Sequence, residues 1–267
     1  MPPGIDTTKA NIARVYDWWL GGNHNFRVDQ DAARAAIAVD PNTRATARAN
    51  RAFLGRVVRF MGREAGIRQF LDIGSGIPTE QNVHQVAHAV APGSRVVYVD
   101  NDEVAVAHSR LLLEDNPNAT VIQADLREPA EILADPETQL MLDFTRPIGL
   151  LLVSVLHFIS ESDGPGRILA TLRDALAPGS YLAVCHLCRD ARPELAATVE
   201  DVYNSRVEAR LRLRTREQIG RLFDGCSLIE PGLVWLPEWR PDSPDDVPDD
   251  PAKHWCLVGV GQYQGAS

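Results

Sequence analysis

At 267 residues, with 45% hydrophobic and 24% charged residues, the chain has ordinary globular composition, and this apolar content excludes wholesale disorder. Its longest apolar run, Ile148 to Val155, is interrupted by Gly149 and Ser154 and falls far short of the roughly 20 residues of a membrane-spanning helix. A formal net charge of −9 argues against a general nucleic-acid binder, although residues 1–70 are net basic and the acidity lies beyond them.

The opening MPPGIDTTKA has no apolar signal core, so the expected location is cytoplasmic. Four cysteines in so long a chain do not make a disulfide framework, which agrees with a reducing compartment.

The first 66 residues read as a helical cap. Ile12, Val15, Tyr16 and Trp19 recur at helical spacing until Gly21-Gly22. An alanine-rich helix is expected over 29–39. A third is expected from Asn42 to about Glu64, with Phe53, Leu54, Val57, Phe60 and Met61 on one face. Arg44, Arg48, Arg51, Arg56, Arg59 and Arg63 share the other face, expected to be solvated rather than to meet an anionic partner.

From residue 67 onward, short apolar runs alternate with helical patterns. Strands are predicted at Gln69–Ile73, Arg95–Val99, Thr120–Gln123, Ile148–Leu156, Tyr181–His186, Leu228–Leu236 and Trp255–Gln262. Helices are predicted at 79–90, 103–114, 128–133, 166–176, 193–203 and 215–223. This alternation implies an α/β fold with a mostly parallel, seven-stranded sheet of Rossmann-like type. Residues 237–254 hold prolines and acids rather than a crossover helix, so the last strand must return antiparallel. The acidic stretch 242–250 reads as a soluble loop.

Leu71-Asp72-Ile73-Gly74-Ser75-Gly76 stands where the first strand meets its helix. Glycines there allow positive φ and close approach to a ligand, outside the carboxyl ends of the strands where open α/β folds bind ligands. Asp100 ends the second strand, where a carboxylate can accept both hydroxyls of a ribose. Asp125 ends the third, within reach of an adenine amino group. Position 79 is threonine, so the third glycine of the dinucleotide fingerprint is missing. With Asp72 just before the loop, the pattern suits a nucleoside ligand bearing an ammonium rather than a pyrophosphate.

The runs LDIGSG, YVDND and QADL resemble the motif set of class I S-adenosylmethionine-dependent methyltransferases. More narrowly, the chain resembles an actinobacterial family of such enzymes with unassigned substrates. The matching stretches include Ala13-Arg14-Val15-Tyr16-Asp17, Leu20-Gly21-Gly22-Asn23, Asn50-Arg51-Ala52-Phe53-Leu54, Arg68 through Thr79, and Val155-Leu156-His157-Phe158-Ile159. The resemblance implies S-adenosyl-L-methionine as cofactor. It implies that Gly74, Ser75 and Gly76 contact its methionine and ribose, and that Asp72 orders water or the ammonium. Asp100 would bind the ribose, Asn101 would flank the adenine, and Asp125 and Leu126 would bracket the adenine edge. Ser154 would face the methionine end.

Tyr16 to Phe26 is expected to form a lid, with Tyr16 or Phe26 against the sulfonium or adenine, since a cation gains roughly 0.5–2 kcal/mol over an aromatic face. His157, closing the fourth strand, is the foremost candidate base, with His24 and His186 as weaker ones; the alternative is a core histidine bonded to backbone. Cys185-His186-Leu187-Cys188 lacks a second ligand pair for zinc and finishes a strand, so it reads as buried thiols, and no metal is expected. The expected activity is methyl transfer to an O or N of a small-molecule acceptor. The alternatives are a non-catalytic S-adenosylmethionine-binding regulator and an NAD(P)-dependent oxidoreductase. No nucleic-acid or membrane partner is expected, and a second copy of the chain is the one protein partner allowed for.

Overall fold

A computed structural model describes residues 7–79, 81–207 and 209–265. Residues 1–6, read above for an export signal, and Glu80, inside an expected helix, lie outside the described residues. Three helices come first: α1 (Ile12–Leu20), α2 (Arg27–Val39) and α3 (Thr43–Arg63). There follow β1 (Gln69–Ile73), α4 (Val83–Val90), β2 (Arg95–Asp100), α5 (Glu103–Leu113), β3 (Ala119–Gln123), α6 (Pro129–Ala134) and α7 (Pro136–Met141). The chain continues through β4 (Gly149–Val153), α8 (Pro165–Asp174), β5 (Tyr181–Leu187), α9 (Pro193–Asn204) and α10 (Arg216–Arg221). It closes with β6 (Cys226–Leu228), β7 (Val234–Trp235) and β8 (Cys256–Tyr263).

The sheet runs in the order β3-β2-β1-β4-β5-β8-β6, with β7 also on β8. Strands β1 to β5 are parallel and β8 is antiparallel to β5, in register from Tyr181 opposite Gln262 to Leu187 opposite Cys256. Successive strand residues point to opposite faces, and both faces are buried. Phe70, Val96, Leu151 and Ala183 join Phe53, Val57, Val58 and Met61 of α3 in one core. Leu71, Val97, Leu150 and Leu182 join Ile168, Leu169 and Leu172 of α8 in the other. Thus the C-terminal half of α3 belongs to the main core. Helices α1, α2 and the start of α3 pack in a separate cluster around Val15, Trp19, Ala33 and Ala47, which Val207 and Tyr203 join. Among the described residues, no helix is long and apolar enough to cross a membrane.

Several boundaries differ from expectation for identifiable reasons. The fourth strand stops at Val153 rather than Leu156, because Ser154 takes φ +63°, which ends the extended run. His157 therefore sits in a short 3-10 turn, Leu156–Phe158, beyond the strand. The helix expected from Thr79 starts at Val83, where Asn82 and Gln85 form a capping box. The strand expected over 228–236 divides into β6 and β7 around Pro231, which has no N–H for the ladder. Helix α7 was not expected, although Asp135 caps it by accepting from Glu137 and Thr138 and Pro136 opens it.

The arginine face of α3 is solvated only in part: Arg48 and Arg63 are exposed, and others are engaged. Arg56 is buried and donates to the carbonyl oxygens of Trp239 (2.9 Å) and Leu236 (3.2 Å). Arg59 forks onto Asp242 at 2.8 and 2.9 Å, and the Arg44 guanidinium lies 4.2 Å over the Trp18 ring. The guanidinium of Arg240 stacks 4.2 Å over Phe60 and pairs with Glu64. The acidic return loop is thus tied to α3 at its first residues, because buried carbonyls need donors and α3 supplies them.

A candidate cofactor cleft and an apolar chamber beside it

The loop after β1 is pinned to the neighbouring strand. Gly74 and Ser75 donate to the carbonyl oxygen of Val99 at 2.8 and 3.2 Å. Gly74 has φ +75°, and a Cβ there would come within 2.5 Å of the Val155 side chain, so conformation and space both demand glycine. Gly76, at φ +69°, donates to Asp100 Oδ2 at 2.7 Å, while the Asp102 N–H reaches Asp100 Oδ1 at 2.9 Å. These two bonds orient the Asp100 carboxylate and leave each oxygen a further lone pair.

A cleft of about 810 Å³ opens along the carboxyl ends of β1 to β4. Asp72, Gly74, Ser75, Gly76, Asp100, Asn101, Asp125, Leu126, Ser154 and Tyr16 all line it. Burial pushes the Asp72 carboxyl up to about 7, with Arg51 pulling it down and Asp100 pushing it further up. Burial likewise raises Asp100 to about 6, against the two backbone donors. Two carboxylates so placed favour a cationic group between them and solvent. Burial also lifts Asp125, but hydrogen bonds from Arg127 outweigh it and hold that carboxyl below its ordinary value.

The Ser75 hydroxyl is buried with no hydrogen-bond partner, as a ligand-facing group would be. The cleft therefore fits a nucleoside that carries hydroxyls and a positive charge.

Beyond Ser154 lies a second, smaller cavity of about 120 Å³. Ile12, Tyr16, Asn50, Ser154 and Phe158 border both spaces. His157 lines the chamber, is buried, and leaves Nδ1 without a partner. Burial, His186 and Arg214 together lower its pKa well below the ordinary histidine value, so its imidazole is neutral at physiological pH.

The remaining candidates fall elsewhere. His24 borders neither cavity; its ring lies 3.9 Å from that of His108 and 3.8 Å from Asp17. Phe26 also borders neither, and its ring covers the guanidinium of Arg14 at 5.2 Å. His186 is a core histidine. Its Nδ1 donates to the Leu187 carbonyl oxygen (2.8 Å), its Nε2 accepts from Arg214 (2.7 Å), and burial with Arg214 pushes its pKa down to about 3. Cys185 and Cys188 are free buried thiols, and among the described residues no cluster of three or more His, Cys, Asp or Glu could hold a metal ion.

Sequence reasoning missed Asn50 and Trp255. Asn50 had a signal, since it continues the apolar stripe of α3 at Leu54, Val57 and Met61 yet is polar. Trp255 follows the acidic loop and had none.

Residues 1–264 match the S-adenosyl methyltransferase family. A protein from Thermobifida fusca YX, thought to be a methyltransferase, is 42% identical; the match covers 99% of this chain and 98% of that one, at a TM-score of 0.93. A DUF574 family protein from Streptomyces avermitilis is 37% identical, over 97% and 99% of the two chains, at 0.92. An O-methyltransferase family protein from Burkholderia thailandensis, 14% identical over 88% of this chain and 63% of that one, shares the fold at 0.52. Among curated proteins nothing matches. The chain belongs to the S-adenosyl methyltransferase family: it is a methyltransferase whose cofactor is S-adenosylmethionine.

Proposed function

We propose that the enzyme methylates an oxygen or nitrogen of a small molecule held in the chamber beyond Ser154, with the cofactor in the larger cleft. The observation that carries this reading is the shared wall: Tyr16, Asn50 and Ser154 border both spaces, so two ligands can meet there. When bound, S-adenosylmethionine supplies a methyl carbon already activated by its sulfonium.

The protein's work is then alignment. Asp100 accepts hydrogen bonds from the ribose, and Asp72 offers a buried negative charge to the ammonium. Asn101, Asp125 and Leu126 frame the base, and Gly74, Ser75 and Gly76 admit the ligand to the backbone. Ser154 marks the methionine end. Holding the acceptor in line contributes up to roughly 7–11 kcal/mol to lowering the barrier. His157, neutral and with Nδ1 free, takes up the acceptor's proton. Helix α1 closes over both spaces as the lid and α2 over the chamber alone, with Tyr16 the aromatic of residues 16–26 that borders both.

The test is turnover of methyl-labelled S-adenosylmethionine against a library of small hydroxyl and amine acceptors, with S-adenosylhomocysteine quantified. Label transfer to a library member supports the reading. Transfer to protein or nucleic acid alone would sink it. Limited proteolysis between residues 16 and 26 tests the lid: cofactor should slow cleavage, and equal rates with and without it would count against closure.

A further inference from the structure

The chamber's shape and wiring say what class of acceptor it takes. Its volume of about 120 Å³ is close to the roughly 150 Å³ of an engineered cavity that holds one benzene molecule. Trp19, Phe158 and Tyr203 contribute aromatic surface to it, and neither lysine nor arginine is among its lining residues; the one carboxylate there, Asp40, is held by the Asn42 N–H and side-chain amide at 3.0 and 3.1 Å. A carboxylate or phosphate on the acceptor would therefore be desolvated there without a counter-charge, at a cost of several kcal/mol.

Three polar side-chain atoms of the wall are buried without a hydrogen-bond partner: Asn50 Oδ1, His157 Nδ1 and Trp255 Nε1. All three residues are at least nine-tenths buried, at 5%, 4% and 3% exposure. Orphaned polar atoms in a native interior call for an explanation, and a ligand is one. The indole N–H can only donate and the amide oxygen can only accept. A single hydroxyl does both: it accepts from the indole and donates its one proton to Asn50 Oδ1 on binding, and that proton turns to His157 Nδ1 for transfer. An aromatic amine matches less well, because its lone pair is drawn into the ring and accepts poorly.

We infer that the chamber binds a neutral acceptor of about one six-membered ring bearing a hydroxyl, a simple phenol in chemical class, with Asn50 and Trp255 as the residues that select for the hydroxyl. This deepens the proposed function and rests on its reading of the larger cleft as the cofactor site, so its test keeps the two apart.

Protein saturated with S-adenosylhomocysteine is titrated calorimetrically with phenol, toluene, benzoate and 1-naphthol. Phenol should bind roughly tenfold or more tightly than each of the other three, the preference over toluene reporting the unmet polar atoms. Trp255→Phe and Asn50→Leu should each cut the phenol-to-toluene ratio by roughly fivefold or more while toluene affinity holds. Ala36→Leu, which adds bulk on the α2 wall, should weaken phenol and toluene alike and leave S-adenosylhomocysteine affinity unchanged.

Equal binding of phenol and toluene, or of phenol and benzoate, would overturn the inference. So would 1-naphthol binding as tightly as phenol, or no binding of any probe to protein that holds S-adenosylhomocysteine. Failure to bind S-adenosylhomocysteine would instead overturn the cofactor reading beneath it.

Discussion

The side-chain amide of Asn50 donates to the hydroxyl of Tyr16 at 2.8 Å, and Tyr16 donates in turn to the carbonyl oxygen of Ala47 at 3.0 Å. This chain of bonds ties α1 to α3 at the wall common to the cleft and the chamber. Tyr16→Phe keeps the ring but strands the Asn50 amide, while the Ala47 carbonyl keeps its bond within α3. The variant should lose about 1–3 kcal/mol of stability in urea unfolding. Because Asn50→Ala removes the same bond, the double variant should lose less than the two single losses added together; strict additivity would show that the bond does not couple the helices.

The buried carboxylates make cofactor binding pH-dependent. Asp72 at about 7 and Asp100 at about 6 lie above the ordinary 3.8. A cationic ligand favours their ionised forms, so binding releases protons and affinity should rise with pH between about 5.5 and 7.5. Folding of the ligand-free protein responds in the opposite sense. Carboxyls with raised pKa contribute stability below about 4 that is lost as pH climbs through 6 to 7. Asp72→Asn should flatten both dependences, read by calorimetry in two buffers of different ionisation enthalpy and by thermal melts.

The glycines of the first loop separate conformation from space. Gly76→Ala pays only for its left-handed backbone, about 1–2 kcal/mol, because a Cβ there meets nothing within 4 Å. Gly74→Ala adds a collision with Val155 at 2.5 Å and should cost a further 1–3 kcal/mol or so. Denaturant midpoints should therefore rank wild type above Gly76→Ala above Gly74→Ala. Equal midpoints for the two variants would refute the packing argument.

Two arginines on one helix face should behave very differently. Arg56→Met leaves the carbonyls of Leu236 and Trp239 buried without a donor and should lose about 2–4 kcal/mol. Arg59→Met breaks a fork to Asp242, whose side chain is 67% exposed, and should lose no more than about 1 kcal/mol. Chemical denaturation of both variants decides it.

The sheet was legible because its strands are short apolar runs such as Leu150 to Val153, bounded by turn residues, and because the missing crossover helix before Cys256 forces the antiparallel return. The cofactor side was legible for a local reason: Asp72, Gly74, Asp100 and Asp125 each lie within two residues of a strand's carboxyl end, and those ends converge in space. The chamber was not, since Asn50, His157 and Trp255 are far apart in the chain and their convergence depends on how α3 and the return loop pack. His24 and Phe26 show the converse case. Both stand in a polar, aromatic segment that looked ligand-facing, but Asp17 draws the His24 N–H (2.9 Å) and the Asn25 amide (2.8 Å) onto itself, and Arg14 takes the Phe26 ring.

Calorimetric titration of S-adenosylhomocysteine into wild-type protein and into Asp100→Asn, each checked for native fold by circular dichroism, tests the central claim most directly. The account predicts one site per chain in the wild type and a loss of roughly tenfold or more in the variant, because the carboxylate that accepts the ribose hydroxyls is gone. Undiminished affinity in Asp100→Asn, or binding of NADH in place of S-adenosylhomocysteine, would contradict it.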